Sequence, residues 1–380
     1  MEYPKFKEME RAYGFDEVAL VPGNVTVNPD QTDVGFAIGP YKFEFPIIAS
    51  AMDAVVSPEM AIKFGKLGGL AVLNLDGLQV RYDDPDAILQ QLAESPQSEV
   101  TTLLQKLYSA PVRDNLIGER VATIKKAGVV CSASLTPANT KRFAPVAKEA
   151  GLDILVVQST VTTAKHLSKS ATGLVLTDLC KSINLPVVVG NCCSYDAAID
   201  IMRTGVESVL VGVGPGAACT SREVLGIGVP QVSATSECAA AREAYYKESG
   251  RYVSIITDGG IRLGSDLCKC FASGADAAMI GSPLAQAIGA PGRGFHWGMS
   301  HPHPALPRGT RVKVGSTATL EQILFGPTSV TDGTQNLVGA LRTSMGMCGA
   351  KNIKEMQSTR MIVAPSIKTE GKFLQMVQRS

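Results

Sequence analysis

The hydrophobic run "VESVLV" (206–211) leads into "GVGPGAACTSR" (212–222), a loop of small residues with one thiol, Cys219, near its tip. A cysteine on a flexible, polar, partly exposed loop is suited to nucleophilic attack and to a covalent intermediate. The other reading is a buried structural cysteine, which would call for apolar neighbours; "AACTSR" supplies few. "GVGPGA" also fits the glycine fingerprint of dinucleotide sites. That motif should open a fold and lead directly into a helix, whereas this one follows roughly the sixth strand-like run and leads into "CTSR". The glycines therefore read as a backbone cradle for a ligand or ion. Similar strand ends recur at "SAMD" (50–53), "QST" (158–160), "GNCC" (190–193), "DGG" (258–260) and "GS" (281–282). All combine glycine with short polar side chains, a pattern that wraps backbone amides around an anion.

Eight short aliphatic runs would have to position these ends: 45–50, 69–74, 127–134, 152–158, 185–191, 206–214, 252–260 and 276–282. They are rich in Val and Ile, bounded by Gly or Pro, and separated by helical patterns such as "SYDAAIDIMRTG" and "GSDLCKCFASG". That reads as parallel strands buried on both faces. Eight strands close a (β/α)8 TIM barrel; an open doubly wound sheet is the alternative. In such a barrel the chemistry sits at the C-terminal strand ends, and the loops after strands seven and eight bind phosphate, which points to a phosphorylated substrate. A single barrel spans 1–380, with a short polar, helix-prone linker at 75–118. A Gly- and Pro-rich flap at 289–333 follows the eighth strand and carries three of the four histidines and the only tryptophan.

At 380 residues and 45% hydrophobic, the chain can bury a core of that size. A net charge of +1 without basic clusters argues against nucleic acid and against an anionic membrane surface. No uninterrupted apolar run approaches the roughly 18 residues of a membrane helix. The charged "MEYPKFKEMERAYGFDEV" does not read as a signal peptide. Nine cysteines, an odd number with no CxxC pair, fit a reducing cytoplasm better than a disulfide framework or structural zinc.

The sequence resembles the IMP dehydrogenase and GMP reductase family. The resemblance rests on "GVGPGAACTSREVLGIGVPQ", "YGFDEVALVP" (13–22), "ASAMDAV" (49–55), "SIITDGGIRLGSDL" (254–267), "ADAAMIGSPLA" (275–285) and "LRTSMGMCGAKNIKEMQ" (341–357), in family order over nearly the whole chain. It implies a barrel assembled as a homotetramer, with an octamer as the larger form, acting on a purine nucleotide monophosphate such as GMP or IMP. By position, Cys219 would attack C2 of the purine and Asp258 would hold the ribose hydroxyls. Gly260, Gly281 and Ser282 would bind the 5′-phosphate. Ser50 and Met52 would line the nucleotide, with Gly298, Met299 and Ser300 at the base edge. Gln158 and Asn191 fall on the cofactor side, and the backbone of Gly214, Gly216 and Cys219 matches a potassium loop. A nicotinamide must carry the hydride: NADPH for a reductase, NAD for a dehydrogenase.

Several positions depart from the family pattern. Ala217 stands where a serine usually offers a hydroxyl to phosphate, Gln158 replaces an aspartate, and Ser221 replaces a threonine. The tandem regulatory domain that many dehydrogenases insert between strands two and three is replaced by 75–118. IMP dehydrogenases hydrolyse their adduct with an Arg-Tyr pair on the flap. Here the last tyrosine is Tyr252, and only Arg293, Arg308 and Arg311 remain in the flap. Reductases instead protonate the departing ammonia through a Thr-Glu pair. Ser221 stands in for the threonine and Glu321 is the candidate acid, with His296, His301 and His303 as substitutes. The favoured reading is GMP reductase. The alternatives are IMP dehydrogenase and a non-catalytic nucleotide-binding regulator, which would not need Cys219.

Overall fold

The structure, a computed structural model, describes residues 9–167, 173–299 and 310–364. Eight strands form a closed parallel barrel: β1 Ile47–Ala49, β2 Leu70–Asn74, β3 Ser132–Leu135, β4 Ile154–Gln158, β5 Val187–Cys192, β6 Ser208–Val211, β7 Ser254–Asp258 and β8 Ala277–Ile280. They pair in chain order, and β8 closes on β1 through Ala278 opposite Ile47 and Ile280 opposite Ala49. Closure leaves no edge strand, which excludes the open doubly wound sheet. Each strand falls on one of the eight aliphatic runs.

The period-2 alternation of a strand sorts these residues into two layers. Ile48, Leu70, Val72, Ile154, Val156, Val188, Leu210, Ile256 and Met279 fill the barrel interior. Their neighbours Ile47, Leu73, Leu155, Val189, Val209, Val211, Ile255 and Ile280 belong to the outer layer under the helices. Each fully buried Leu or Ile contributes roughly 1.5–3 kcal/mol. Packing is tight enough that a Cβ on Gly190 would lie 2.4 Å from Cβ of Leu210. A hairpin, Phe36–Ile38 with Tyr41–Phe43, closes the N-terminal end: Ile38 and Phe43 join the interior layer, and Tyr41 Oη donates to Asp153 just before β4 (3.1 Å).

The stretch 75–118 is folded. It contains the helices Pro85–Glu94 and Val100–Tyr108, the first begun by Pro85 and capped by Asp84, which accepts from Ala87 N (3.1 Å). Leu89, Leu92, Val100, Leu104 and Tyr108 pack with Trp297 of the flap into a core of their own. The polar composition of the stretch is its solvent face; an apolar stripe at helical spacing lies beneath. The described part of the flap begins as a hairpin, Phe295–Trp297 with Arg311–Lys313. It continues into the helix Leu320–Phe325, which has a Thr319–Gln322 capping box. No helix among the described residues is long and apolar enough to cross a membrane.

Candidate active site

Three strand ends converge on one carboxylate. From β4, Gln158 Nε2 donates to Asp258 Oδ2 at the end of β7 (2.9 Å). From β5, Asn191 Nδ2 donates to the same oxygen (2.9 Å) and to the carbonyl of Gly212 (2.9 Å). Gln158 also donates to Asn191 Oδ1 (3.1 Å). Asp258 Oδ1 takes no hydrogen bond from the described residues, and Asp258 borders a cavity of about 930 Å³. Burial pushes the Asp258 carboxyl up to about 6, with the two amide bonds acting the other way. An aspartate at 158 would set carboxylate against carboxylate; the glutamine supplies a donor instead.

The thiol loop begins where β6 meets β7. A side chain at Gly212 would place its Cβ 2.1 Å from the carbonyl oxygen of Asp258, and the residue has φ +150°. Only glycine lets the loop leave the barrel this close to that aspartate. The loop then turns back, with Cys219 N donating to the carbonyl of Gly216 (3.0 Å). Cys219 is half-buried, borders the cavity, and donates to Ser221 Oγ (3.3 Å). Ser221, the first residue of the short helix Ser221–Leu225, is buried behind the thiol.

The cavity brings together Ser50, Met52, Gln158, Asn191, Gly214, Gly216, Cys219, Asp258, Gly260, Gly281, Ser282, Gly298 and Met299. Ser300, His301, His303 and Arg308 lie outside the described residues. Glu321 is a correction. Its carboxylate does not border the cavity but sits half-exposed on the outer wall, 3.7 Å from Lys63 of the helix Pro58–Lys66. Its carboxyl is held below the ordinary value, first by a backbone hydrogen bond and also by Lys63. That is the wrong direction for a group that must release a proton near neutral pH. Glu321 belongs to the helix Leu320–Phe325, whose start is fixed by the Thr319–Gln322 capping box. Glu321→Gln is therefore expected to leave turnover within about twofold of wild type, a surface pair of this kind contributing little; steady-state kinetics with the preferred nucleotide checks it.

Two features carried no motif. At one end of the cavity, Asp76, Arg81 and Asn139 meet at the C-terminal ends of β2 and β3. Asp76 Oδ2 accepts from Thr136 N (2.6 Å), and Arg81 Nε donates to the carbonyl of Asp76 (3.1 Å). Arg81 comes from the stretch read as a linker, where only its spacing from Asp76 could have marked it. At the other side, Ser282 Oγ lies 2.9 Å from His296 Nε2. His296 is buried, and burial holds its imidazole below the ordinary histidine value.

The chain that carries this site is similar to known proteins along most of its length. A family model for the IMP dehydrogenase / GMP reductase domain matches residues 12–301. An uncharacterized oxidoreductase of Mycobacterium leprae is 40% identical, covering 93% of this chain and 97% of the relative. An inosine-5′-monophosphate dehydrogenase of Methanocaldococcus jannaschii is 29% identical over 97% of this chain and 96% of its own. The crystal structure of an IMP dehydrogenase/GMP reductase-like protein from Corynebacterium glutamicum superposes with a TM-score of 0.90 at 35% identity, covering 96% and 97% of the two chains. With its barrel, its thiol loop and these matches in agreement, the chain belongs to the IMP dehydrogenase/GMP reductase family of oxidoreductases.

Proposed function

We propose that this protein is a GMP reductase, converting GMP and NADPH to IMP, ammonia and NADP. One observation carries the choice of direction: the flap segment 289–333 contains no tyrosine, so no Arg-Tyr pair is available there to activate water. The tyrosine that packs against the flap, Tyr108, is buried away from the cavity and holds Asp53 and the indole of Trp297 (2.9 Å). The reductive reaction needs no activated water.

In this reading Cys219 attacks C2 of GMP, and the C2–N bond breaks as the amino group takes a proton and leaves as ammonia. The product is a thioimidate on Cys219. A bound reduced nicotinamide would supply the hydride; Cys219 would hold C2 in place for it and regain its thiolate as the C–S bond breaks. Ser221, in contact with the thiol, would relay a proton beside C2. Asp258 Oδ1 would accept the ribose hydroxyls while Gln158 and Asn191 hold the carboxylate in place. The end of the cavity at Asp76, Arg81 and Asn139 is where the far part of the cofactor would fit, Arg81 offering a cation to its phosphates. The backbone of Gly214, Gly216 and Cys219 stays the proposed potassium site, and a cytoplasmic homotetramer the proposed assembly. Two assays test the direction: GMP with NADPH, and IMP with NAD, each followed at 340 nm.

Asp258 gives the reading a pH signature. The ribose hydroxyls bond the ionised carboxylate, so binding favours a group that titrates near pH 6 in the free protein. Protonation below that value removes the acceptor. Inosine, which has no phosphate to titrate, is expected to bind with constant affinity above about pH 7 and up to about tenfold more weakly per unit below pH 6. Asp258→Asn should bind weakly at every pH. Calorimetric titration from pH 5 to 7.5 measures this, and a flat wild-type profile would remove Asp258 from the ribose.

A further inference from the structure

Two polar clamps fasten the flap hairpin to the helices of 85–108, one on each of its strands. On the strand Arg311–Lys313, the buried Arg311 donates to the Leu92 carbonyl and to Gln97 Oε1 (3.1 Å), and Gln97 Nε2 donates back to the Arg311 carbonyl (3.3 Å). On the strand Phe295–Trp297, the Trp297 indole donates to Oη of Tyr108, the last residue of the helix Val100–Tyr108 (2.9 Å). That hydroxyl donates in turn to Asp53 Oδ2, which also accepts from Leu78 N (2.9 Å), and it lies 3.3 Å from Met299 Sδ. Asp53, Tyr108 and Trp297 are all buried, so these polar groups are tolerated only as long as they stay joined. None of the three borders the cavity. Their chain neighbours Met52, His296 and Gly298 do, and so does Met299. The turn at 52–55 is tight, with Val55 N donating to the Met52 carbonyl (2.8 Å), and Gly292 N at the root of the flap donates to the Ala54 carbonyl (2.9 Å). One phenol therefore joins three segments distant in sequence, and two of them carry walls of the cavity.

We propose that Tyr108 is a positioning residue whose hydroxyl locks the flap hairpin to the loop after β1 and so holds Met52 and Met299 in place against the purine. A phenol suits the task because one oxygen can accept from the indole while it donates to the carboxylate. Phenylalanine would fill the same space and leave both partners without that bond, a loss that falls on the locked arrangement alone. The Arg311 clamp still holds the other strand in that variant, so the hairpin stays attached while its cavity-facing end loosens. Affinity for a ligand that needs the locked form then falls by the fraction of molecules that keep it.

The inference rests on the purine-nucleotide reading for its ligand, whereas the lock itself can be read without one. Amide hydrogen exchange of the ligand-free full chain is followed by mass spectrometry in wild type, Tyr108→Phe, Trp297→Phe and the double variant. Tyr108→Phe is expected to speed exchange over 295–299 by about tenfold or more while the barrel strands keep their protection. Calorimetry should then show IMP weakened by about tenfold, and competition should show ribose 5-phosphate, which has no base, moved by less than about threefold. Trp297→Phe should give the same pattern, and the two losses should not add, because both break one junction. Unchanged exchange over 295–299 would overturn the proposal. So would equal weakening of IMP and ribose 5-phosphate, which would make Tyr108 a support of the fold only. Should Tyr108→Phe fail to fold, Trp297→Phe carries the same two readouts. Wild-type protein that binds neither ligand, with flap exchange responding as expected, would defeat the nucleotide reading and leave the lock standing.

Discussion

Cys219→Ala is expected to lower turnover by at least about 10³-fold while leaving IMP affinity within a fewfold of wild type. In the proposed mechanism either direction passes through a bond between this sulfur and C2, so no partial route would remain once it is gone. Affinity survives because the groups read as holding ribose and phosphate, Asp258 and Ser282, lie on other strand ends. The other thiols supply the contrast. Burial pushes Cys268 up to about 11 and Cys131 and Cys270 up to about 12, so these sulfurs stay protonated and inert. Cys192→Ala and Cys268→Ala should cost about 0.5–3 kcal/mol of packing and leave the rate intact. Near wild-type turnover in Cys219→Ala, or an equal loss in folded Cys268→Ala, would mean that covalent catalysis had been placed on the wrong atom.

The barrel was readable because its strands are buried on both faces, and uninterrupted Val and Ile runs have few other uses. The thiol loop was readable because small residues after a strand serve close backbone approach, as Gly212 against Asp258 shows. What failed to show was contact between segments distant in sequence. The Asp258, Asn191 and Gln158 cluster joins three strands, and no local pattern tells that Gln158 donates to Asp258. The helices of 75–118 looked like a linker because their polar faces dominate the composition. Glu321 was misread because a glutamate near a flap position says nothing about direction; its carboxylate lies by Lys63 of the helix Pro58–Lys66 and not in the cavity.

The direction of the reaction turns on the same logic of placement. After hydride leaves IMP, a dehydrogenase must hydrolyse a thioimidate, and removing a positioned base from such a step costs about 10²–10⁴-fold. Within the described flap, Arg293 is beside Asp86 (4.0 Å) and Arg311 is turned to Leu92 and Gln97. Neither borders the cavity, and neither has a tyrosine next to it in the chain. In the reductive direction the same thioimidate is consumed by hydride, so that loss does not apply. GMP with NADPH is therefore expected to yield IMP and ammonia at a rate at least about 10²-fold above XMP formation from IMP and NAD. Ser221→Ala should slow the ammonia-releasing step by about tenfold or more, visible as a lower burst of thioimidate in single turnover, because its hydroxyl touches the reacting sulfur. Ser221→Thr, which keeps the hydroxyl, should restore most of it. Robust conversion of IMP and NAD to XMP, with GMP left untouched, would overturn the reductase assignment and send the search for a water-activating base to Arg81, the one arginine that borders the cavity among the described residues.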